Sequence, residues 1–373
     1  MAPIALAFAV LELTGSRSDL GYVLAARSAP QVVFLLVGGI WADRLQRNRV
    51  MVASSVASMT TQGILAALLL TGRAEMWQLI VIAALNGVSS AFFFPASQGI
   101  VPQTVRPRLI QQANALLRLA LNSSLVVGAA LGGAIVHAFG PGWAIAVDAA
   151  TFGAAALFAS AMRLPPVVAS AAPSFVRELA EGWHAFSSRT WLWVIVLQFA
   201  VLNAAVQGAF QVLGPAQAQA HLGGAGVWGA ILACQAVGLI VGGLIMLRFR
   251  PERLLLVATS AILTLALPLI ALGKPAHAAV IAVAALAMGL GIEVFAVCWD
   301  TTMQQQIPGP LLSRVYSYDQ LGSIVLIPIG FAIAGPIADA IGTQAALYGA
   351  AVLVVAATLP VFAVRDVREL RRK

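Results

Sequence analysis

Charge is what this sequence has least of. Only 10% of its 373 residues are Asp, Glu, Lys or Arg, against about 25% in an ordinary soluble domain. Lysine is almost missing: Lys274 and Lys373 are the two, and every other cation is arginine. Cysteine is equally scarce. Cys234 and Cys298 both fall inside apolar runs, where small buried hydrophobes are expected rather than a disulfide. No Walker loop, HExxH or GxSxG pattern occurs, and the four histidines are scattered. Nothing therefore supports ATP hydrolysis or zinc chemistry; no metal, cofactor or enzymatic activity is expected. No basic segment precedes the first apolar run, so no cleavable signal is expected.

What fills the space is hydrocarbon. Hydrophobic residues make up 60% of the chain and the mean hydropathy is +0.92. They come in runs of about 20, the length an α-helix needs to cross a bilayer; alternating segments of about 10, the mark of a membrane β-barrel, do not dominate. The runs place helical spans at 1–14, 18–41, 49–71, 76–100, 109–138 and 142–162, then at 190–213, 224–247, 253–272, 277–299, 311–341 and 343–364. The expected fold is thus an all-α polytopic membrane protein of twelve transmembrane helices. The net charge of +8 does not signal nucleic acid, because the basic residues lie in ones, twos and threes between spans. Positive charge favours the cytoplasmic side of short loops. Putting the loop after the second span inside leaves only Arg17, Arg73 and Lys274 outside and Arg27 and Arg118 within spans; the other 17 of 22 basic residues fall on the inner side. The C-terminus is then cytoplasmic.

The chain repeats itself. Gly38-Gly39, Arg44 and Arg49 align with Gly242-Gly243, Arg248 and Arg253 at an offset of 204, while Gly128, Gly133 and Gly140 align with Gly330, Gly335 and Gly342 at 202. The expected organisation is two parallel six-helix repeats, 1–162 and 190–364. A cytoplasmic linker, 163–189, carries an amphipathic helix with Phe175, Leu179 and Trp183 on one face, and 365–373 forms a basic tail. Matching the repeats leaves the first span about fifteen residues short. The first helix is therefore expected to be truncated, through either a misassigned start or a shortened variant.

Within hydrocarbon each polar or charged side chain is a candidate for function. Arg27 and Gln31 lie one turn apart on the second span. Gln111, Asn114, Arg118 and Asn122 share one face of the fifth, and Asn203, Gln207 and Gln211 form a shorter stripe on the seventh. These are the expected cavity-lining residues. Glu293, Asp148 and Asp319 sit two to three turns inside the tenth, sixth and eleventh spans and are the protonation candidates. Gly128, Gly132 and Gly133 form a small-residue pattern suited to close helix packing.

The segment Gly39-Ile40-Trp41-Ala42-Asp43-Arg44-Leu45-Gln46-Arg47 then carries a resemblance. It is similar to the loop motif of the major facilitator superfamily, G-x-x-x-D-R-x-G-R followed by a basic residue; Gly39, Asp43, Arg44 and Arg47 match, while Gln46 and Asn48 depart from it. Gly128-Ala129-Ala130-Leu131-Gly132-Gly133 resembles the exporter motif G-P-x-x-G-G with Ala129 in place of proline. Ala91–Ala96, Trp143–Asp148 and Ser313–Ser317 resemble the branch of enterobactin exporters and macrolide efflux proteins. The resemblance implies that Gly39, Asp43, Arg44 and Arg47 belong to a cytoplasmic gate, with Asp43 facing the start of the eleventh helix near Leu311. It implies a secondary-active exporter of amphipathic small molecules, a drug or a siderophore, working by alternating access in the bacterial inner membrane. Protons are the expected coupling ion, the lipid bilayer and the small molecule the expected partners, and a monomer the expected state. A degenerate non-transporting relative and a lysophospholipid-type flippase remain as alternatives.

Overall fold

An apolar run in lipid has no water to satisfy its amides, and a helix pairs every backbone group within its own segment. The computed structural model describes residues 1–98, 106, 110–162, 175–274 and 276–371; side chains at 35–44, 94–95, 98, 110–115, 118–119, 122, 175–179, 309–310 and 313 are not described. Among the described residues there is no strand. The helices are α1 (Ala2–Thr14), α2 (Arg17–Arg44), α3 (Arg47–Leu70), α4 (Met76–Gln98), α5 (Ile110–Phe139), α6 (Pro141–Ala161) and α7 (Phe175–Ser187). There follow α8 (Thr190–Leu222), α9 (Ala225–Arg248), α10 (Leu254–Gly273), α11 (Ala278–Gln306), α12 (Gly309–Ile324), α13 (Ile327–Ile341), α14 (Thr343–Ala363) and α15 (Arg365–Glu369). Nine helical rods among the described residues are long and apolar enough to cross a membrane, with α12 and α13 counted as one rod; Ala2–Thr14 and Ser123–Phe139 are shorter apolar stretches.

The chain divides into two compact units. One comprises Met1–Ser170 with Gly223–Gly229, the other Ala171–Leu222 with Ala230–Lys373. In the first, α2 packs on α4 and α3 packs on both α4 and α6; in the second, α8 packs on α12 and α13, and α11 on α10. Small residues permit the tightest crossings. A Cβ on Gly87 of α4 would run into the Arg27 carbonyl of α2, and one on Gly238 of α9 into the Leu286 carbonyl of α11, so glycine alone fits at either place.

Gly140 and Gly342, paired by the 202-residue offset, adopt the same backbone. Their φ angles are 86° and 89°, in the region that favours glycine. Each donates its N–H four residues back at 3.0 Å, Gly140 to Val136 and Gly342 to Ala338, and each starts the next helix.

Two helices outrun the sequence expectation. α8 ends at Leu222 rather than 213 and α11 at Gln306 rather than 299. Both extensions carry polar residues that find partners inside the fold. Gln217 Nε2 donates to the Leu272 carbonyl at 3.2 Å, and the Thr301 and Thr302 hydroxyls donate back to Val297 and Cys298 at 2.6 and 2.8 Å. Pro215 has no N–H to offer the carbonyl four residues earlier, and α8 widens into π-helical turns at Ala209–Leu213 and Ala218–Leu222 on either side of it.

Candidate functional site

In the first unit, four polar residues from four helices share one level. Arg27, Gln62, Asn86 and Asp148 lie ten, eight, ten and seven residues from the helix ends at Arg17, Leu70, Met76 and Pro141, roughly 10–15 Å along each axis. Gln62 Nε2 donates to Asp148 Oδ2 at 3.3 Å. Asp148 also accepts from the Ala2 N–H and interacts electrostatically with Arg27. The structure thus brings together Arg27 and Asp148, while Gln31 sits half-buried one turn further along α2.

Gln62 escaped the sequence reading, although Ser54, Ser58 and Gln62 recur every fourth residue and all three are buried. Asn86 escaped it as well. It is 3% exposed, and among the described residues neither atom of its amide group has a hydrogen-bond partner; the buried Ser55 hydroxyl has none either.

The α5 candidates Asn114, Arg118 and Asn122, with Gln111, have helical backbone and so share a face by spacing; their side chains lie outside the described residues. The same holds for Gly39, Asp43 and Arg44, although α2 runs on through Arg44 and only Leu45 and Gln46 separate it from α3. Arg47 is half-buried at the start of α3, and beside it Asn48 Nδ2 donates to the Met162 carbonyl at 3.2 Å. Gly132 of α5 lies against Met1, where a Cβ would stand 3.1 Å from its Cα. Gly133 meets Gly229, with 2.8 Å from a built Cβ to the Gly229 Cα, and Gly128 is looser, 3.6 Å from the Met1 nitrogen.

In the second unit the candidates converge around Asp319. Its Oδ2 accepts from Trp299 Nε1 at 3.0 Å and its Oδ1 from Ser323 Oγ at 3.4 Å. Asn203 Nδ2 donates to the Ser323 carbonyl at 2.8 Å, which ties α8 to the same turn of α12. Asp300 lies within electrostatic reach of Asp319 and accepts from the Tyr316 hydroxyl at 3.0 Å. Among the described residues no basic side chain pairs with Asp319; its partners are neutral donors. Aromatic rings wall the cluster. Phe199 and Phe295 are 4.2 Å apart, Phe295 and Trp299 5.8 Å, and Trp191 meets Trp299 edge-on at 5.6 Å. Gln207, with Gln211, is half-buried on α8 one and two turns beyond Asn203. Glu293 stands apart, on α11, with its side chain lying over Gly242 and Gly243 of α9. Asp300 escaped the sequence reading because it fell just past the expected end of its span. Among the described residues no three His, Cys, Asp or Glu side chains gather as a metal site would require.

Comparison with known proteins adds the rest. The profile of the Major Facilitator Superfamily matches residues 1–323. Macrolide efflux protein A of Streptococcus pyogenes is 22% identical over 379 residues, covering 99% of this chain and 93% of its own. The multidrug efflux pump Tap of Mycolicibacterium fortuitum is 25% identical over 363 residues, 92% of this chain and 86% of its own. Among solved structures, the nucleoside transporter NupG superposes with a TM-score of 0.72 at 12% identity over 97% of this chain and 96% of that one. An inward-facing bacterial homolog of the human lysosomal transporter Spinster gives 0.66 at 14% over 99% and 96%. At such identities the structures speak for the fold. The chain belongs to the Major Facilitator Superfamily and is a multi-pass membrane transporter rather than an enzyme.

Proposed function

We propose that this transporter exports amphipathic organic molecules, drug- or siderophore-like, across the bacterial plasma membrane in exchange for protons. The observation that carries the reading is the near-full-length match to relatives named for efflux, macrolide efflux protein A and Tap. The coupling rests on Asp319. Among the described residues Asp319 is held by neutral donors alone, and such a carboxylate can gain and lose a proton without breaking an ion pair, whereas Asp148 shares its surroundings with Arg27. Asp319 is therefore the first choice for the proton carrier, with Asp148 and Glu293 behind it. Arg27, Gln31, Asn114, Arg118, Asn122, Asn203 and Gln207 supply polar groups for the substrate path. Gly39, Asp43, Arg44 and Arg47 act at the cytoplasmic gate, and the C-terminus faces the cytoplasm. Alternating access by rocking of two halves is the mechanism such a fold uses.

Everted membrane vesicles carrying the protein provide the test. Radiolabelled erythromycin is expected to accumulate when a proton gradient is imposed and to stop accumulating when it is collapsed. Accumulation that continues unchanged after collapse would overturn the coupling.

A further inference from the structure

The linker helix α7 is fastened to α12 by three kinds of contact. Glu181 pairs with Arg314. Gly182 lies so close to α12 that a Cβ there would stand 2.9 Å from Arg314 Cβ and 3.1 Å from the Tyr318 ring. The Tyr318 ring then packs against Trp183 at 5.5 Å and Phe186 at 5.9 Å, and Trp183 and Phe186 stack on each other at 5.7 Å. The corner leading into α8 is tied as well, because the Arg189 guanidinium donates to the Ala185 carbonyl.

The next residue after Tyr318 is Asp319, which accepts from Trp299. One turn of α12 thus presents Tyr318 to the linker helix and Asp319 to α11. A displacement of α7 has to move the residue that neighbours the candidate proton carrier.

We infer that α7 is a strut of the second unit, held on α12 throughout the transport cycle, and that it positions the Tyr318–Asp319 turn for turnover. The inference rests on the function proposed above. A strut and a passive tether respond differently to loosening. Freeing a strut slows turnover and leaves substrate binding alone, and fastening it covalently does no harm.

The test uses the full chain with Cys234 and Cys298 replaced by serine, in membranes, with radiolabelled erythromycin as the probe. Gly182→Cys with Arg314→Cys places two Cβ atoms at a built separation of 2.9 Å, under the roughly 3.5–4.5 Å of a disulfide, so α7 must draw back from α12 by several tenths of an ångström for the bridge to form. Its formation is read by loss of maleimide-polyethylene-glycol labelling. The reduced pair, and the single variants Glu181→Arg and Arg314→Glu, are expected to turn over at least threefold more slowly with KM unchanged. Oxidation of the cysteine pair, and the charge-swapped double variant, are expected to restore the rate. The reversals sit on a half-exposed pair, 27% and 44% accessible, so they read the strut even if the cysteine pair folds poorly.

Oxidation that halts transport would show that α7 must leave α12, and would overturn the inference. So would full-rate transport in every loosened variant, or a raised KM at unchanged rate. If the parent protein itself moves no substrate, the proposed function fails. The docking still stands or falls on the bridge, and a pair that stays labelled under oxidant refutes it.

Discussion

At the scale of single residues, the two interior aspartates differ in company more than in depth. Asp148 has Arg27 and the Gln62 amide near it, while Asp319 has an indole N–H and a hydroxyl. Asp319→Asn keeps an oxygen for Trp299 to donate to and removes the ionisable proton. Proton-driven efflux is expected to fall at least tenfold, with gradient-independent substrate exchange retained; loss of both would mean that the residue holds structure, not protons. Asn86 gives a second prediction. A buried amide without partners costs the fold about 1–3 kcal/mol, so Asn86→Leu is expected to raise thermal stability by that order while slowing turnover, the usual exchange at a working site. A thermal shift assay beside an efflux assay reads both. The charges were legible in the sequence, since Arg27, Asp148 and Asp319 fall inside apolar spans, where a charge is costly. Gln62, Asn86 and Trp299 were not. Uncharged polar residues and indoles are ordinary in such runs, and their role depends on which helix lies opposite.

At the scale of elements, the spans were legible because apolar length is a strong signal, and their ends were not. A polar residue near a boundary reads as loop, yet Gln217, Thr301 and Thr302 stay helical by bonding to backbone carbonyls. The face by which α7 meets α12 was not singled out in the sequence, for a related reason. The sequence pointed to an apolar stripe at Phe175, Leu179 and Trp183, and the first two side chains lie outside the described residues. Among the described residues the buried face is Gly182, Ala185 and Phe186, with Trp183 55% exposed at its edge. A glycine carries no apolar signal, but here it admits the Arg314 and Tyr318 side chains. The aromatic contacts hold this helix more firmly than the ion pair, at about 0.5–1.5 kcal/mol for each ring pair against about 0–1 for an exposed salt bridge. The glycines of the spans give a prediction with opposite signs. Gly87→Ala drives a methyl into the Arg27 carbonyl and is expected to cost about 1–3 kcal/mol. Gly63 in the middle of α3 has nothing within 4 Å of a built Cβ, so Gly63→Ala is expected to stabilise by about 0.5–1 kcal/mol. Melting temperatures in detergent decide both; equal shifts would mean that the α2–α4 crossing is looser than described.

At the scale of the molecule, the internal repeat and the charge pattern constrain the same thing, the number of times the chain crosses the bilayer. Parallel repeats each need an even number of crossings, and an odd number in either would scatter the 17 basic residues expected on the inner side over both faces. Parallel repeats would place the matching turns at Gly140 and Gly342, 202 residues apart, in the same compartment. Side-specific labelling tests it directly. In a background lacking Cys234 and Cys298, single cysteines are placed at the exposed positions Arg73, Arg253, Lys274 and Arg368. A membrane-impermeant maleimide is expected to label Arg73→Cys and Lys274→Cys only in right-side-out vesicles, and Arg253→Cys and Arg368→Cys only in everted ones. The two outer sites belong to different repeats, and the two inner sites bracket the last spans of the second, so one misplaced span cannot satisfy all four. Labelling of Lys274→Cys from the inside together with Arg73→Cys from the outside would make the repeats antiparallel. The shared glycine and arginine offsets would then have to arise without shared topology, and the charge bias without a common inner face.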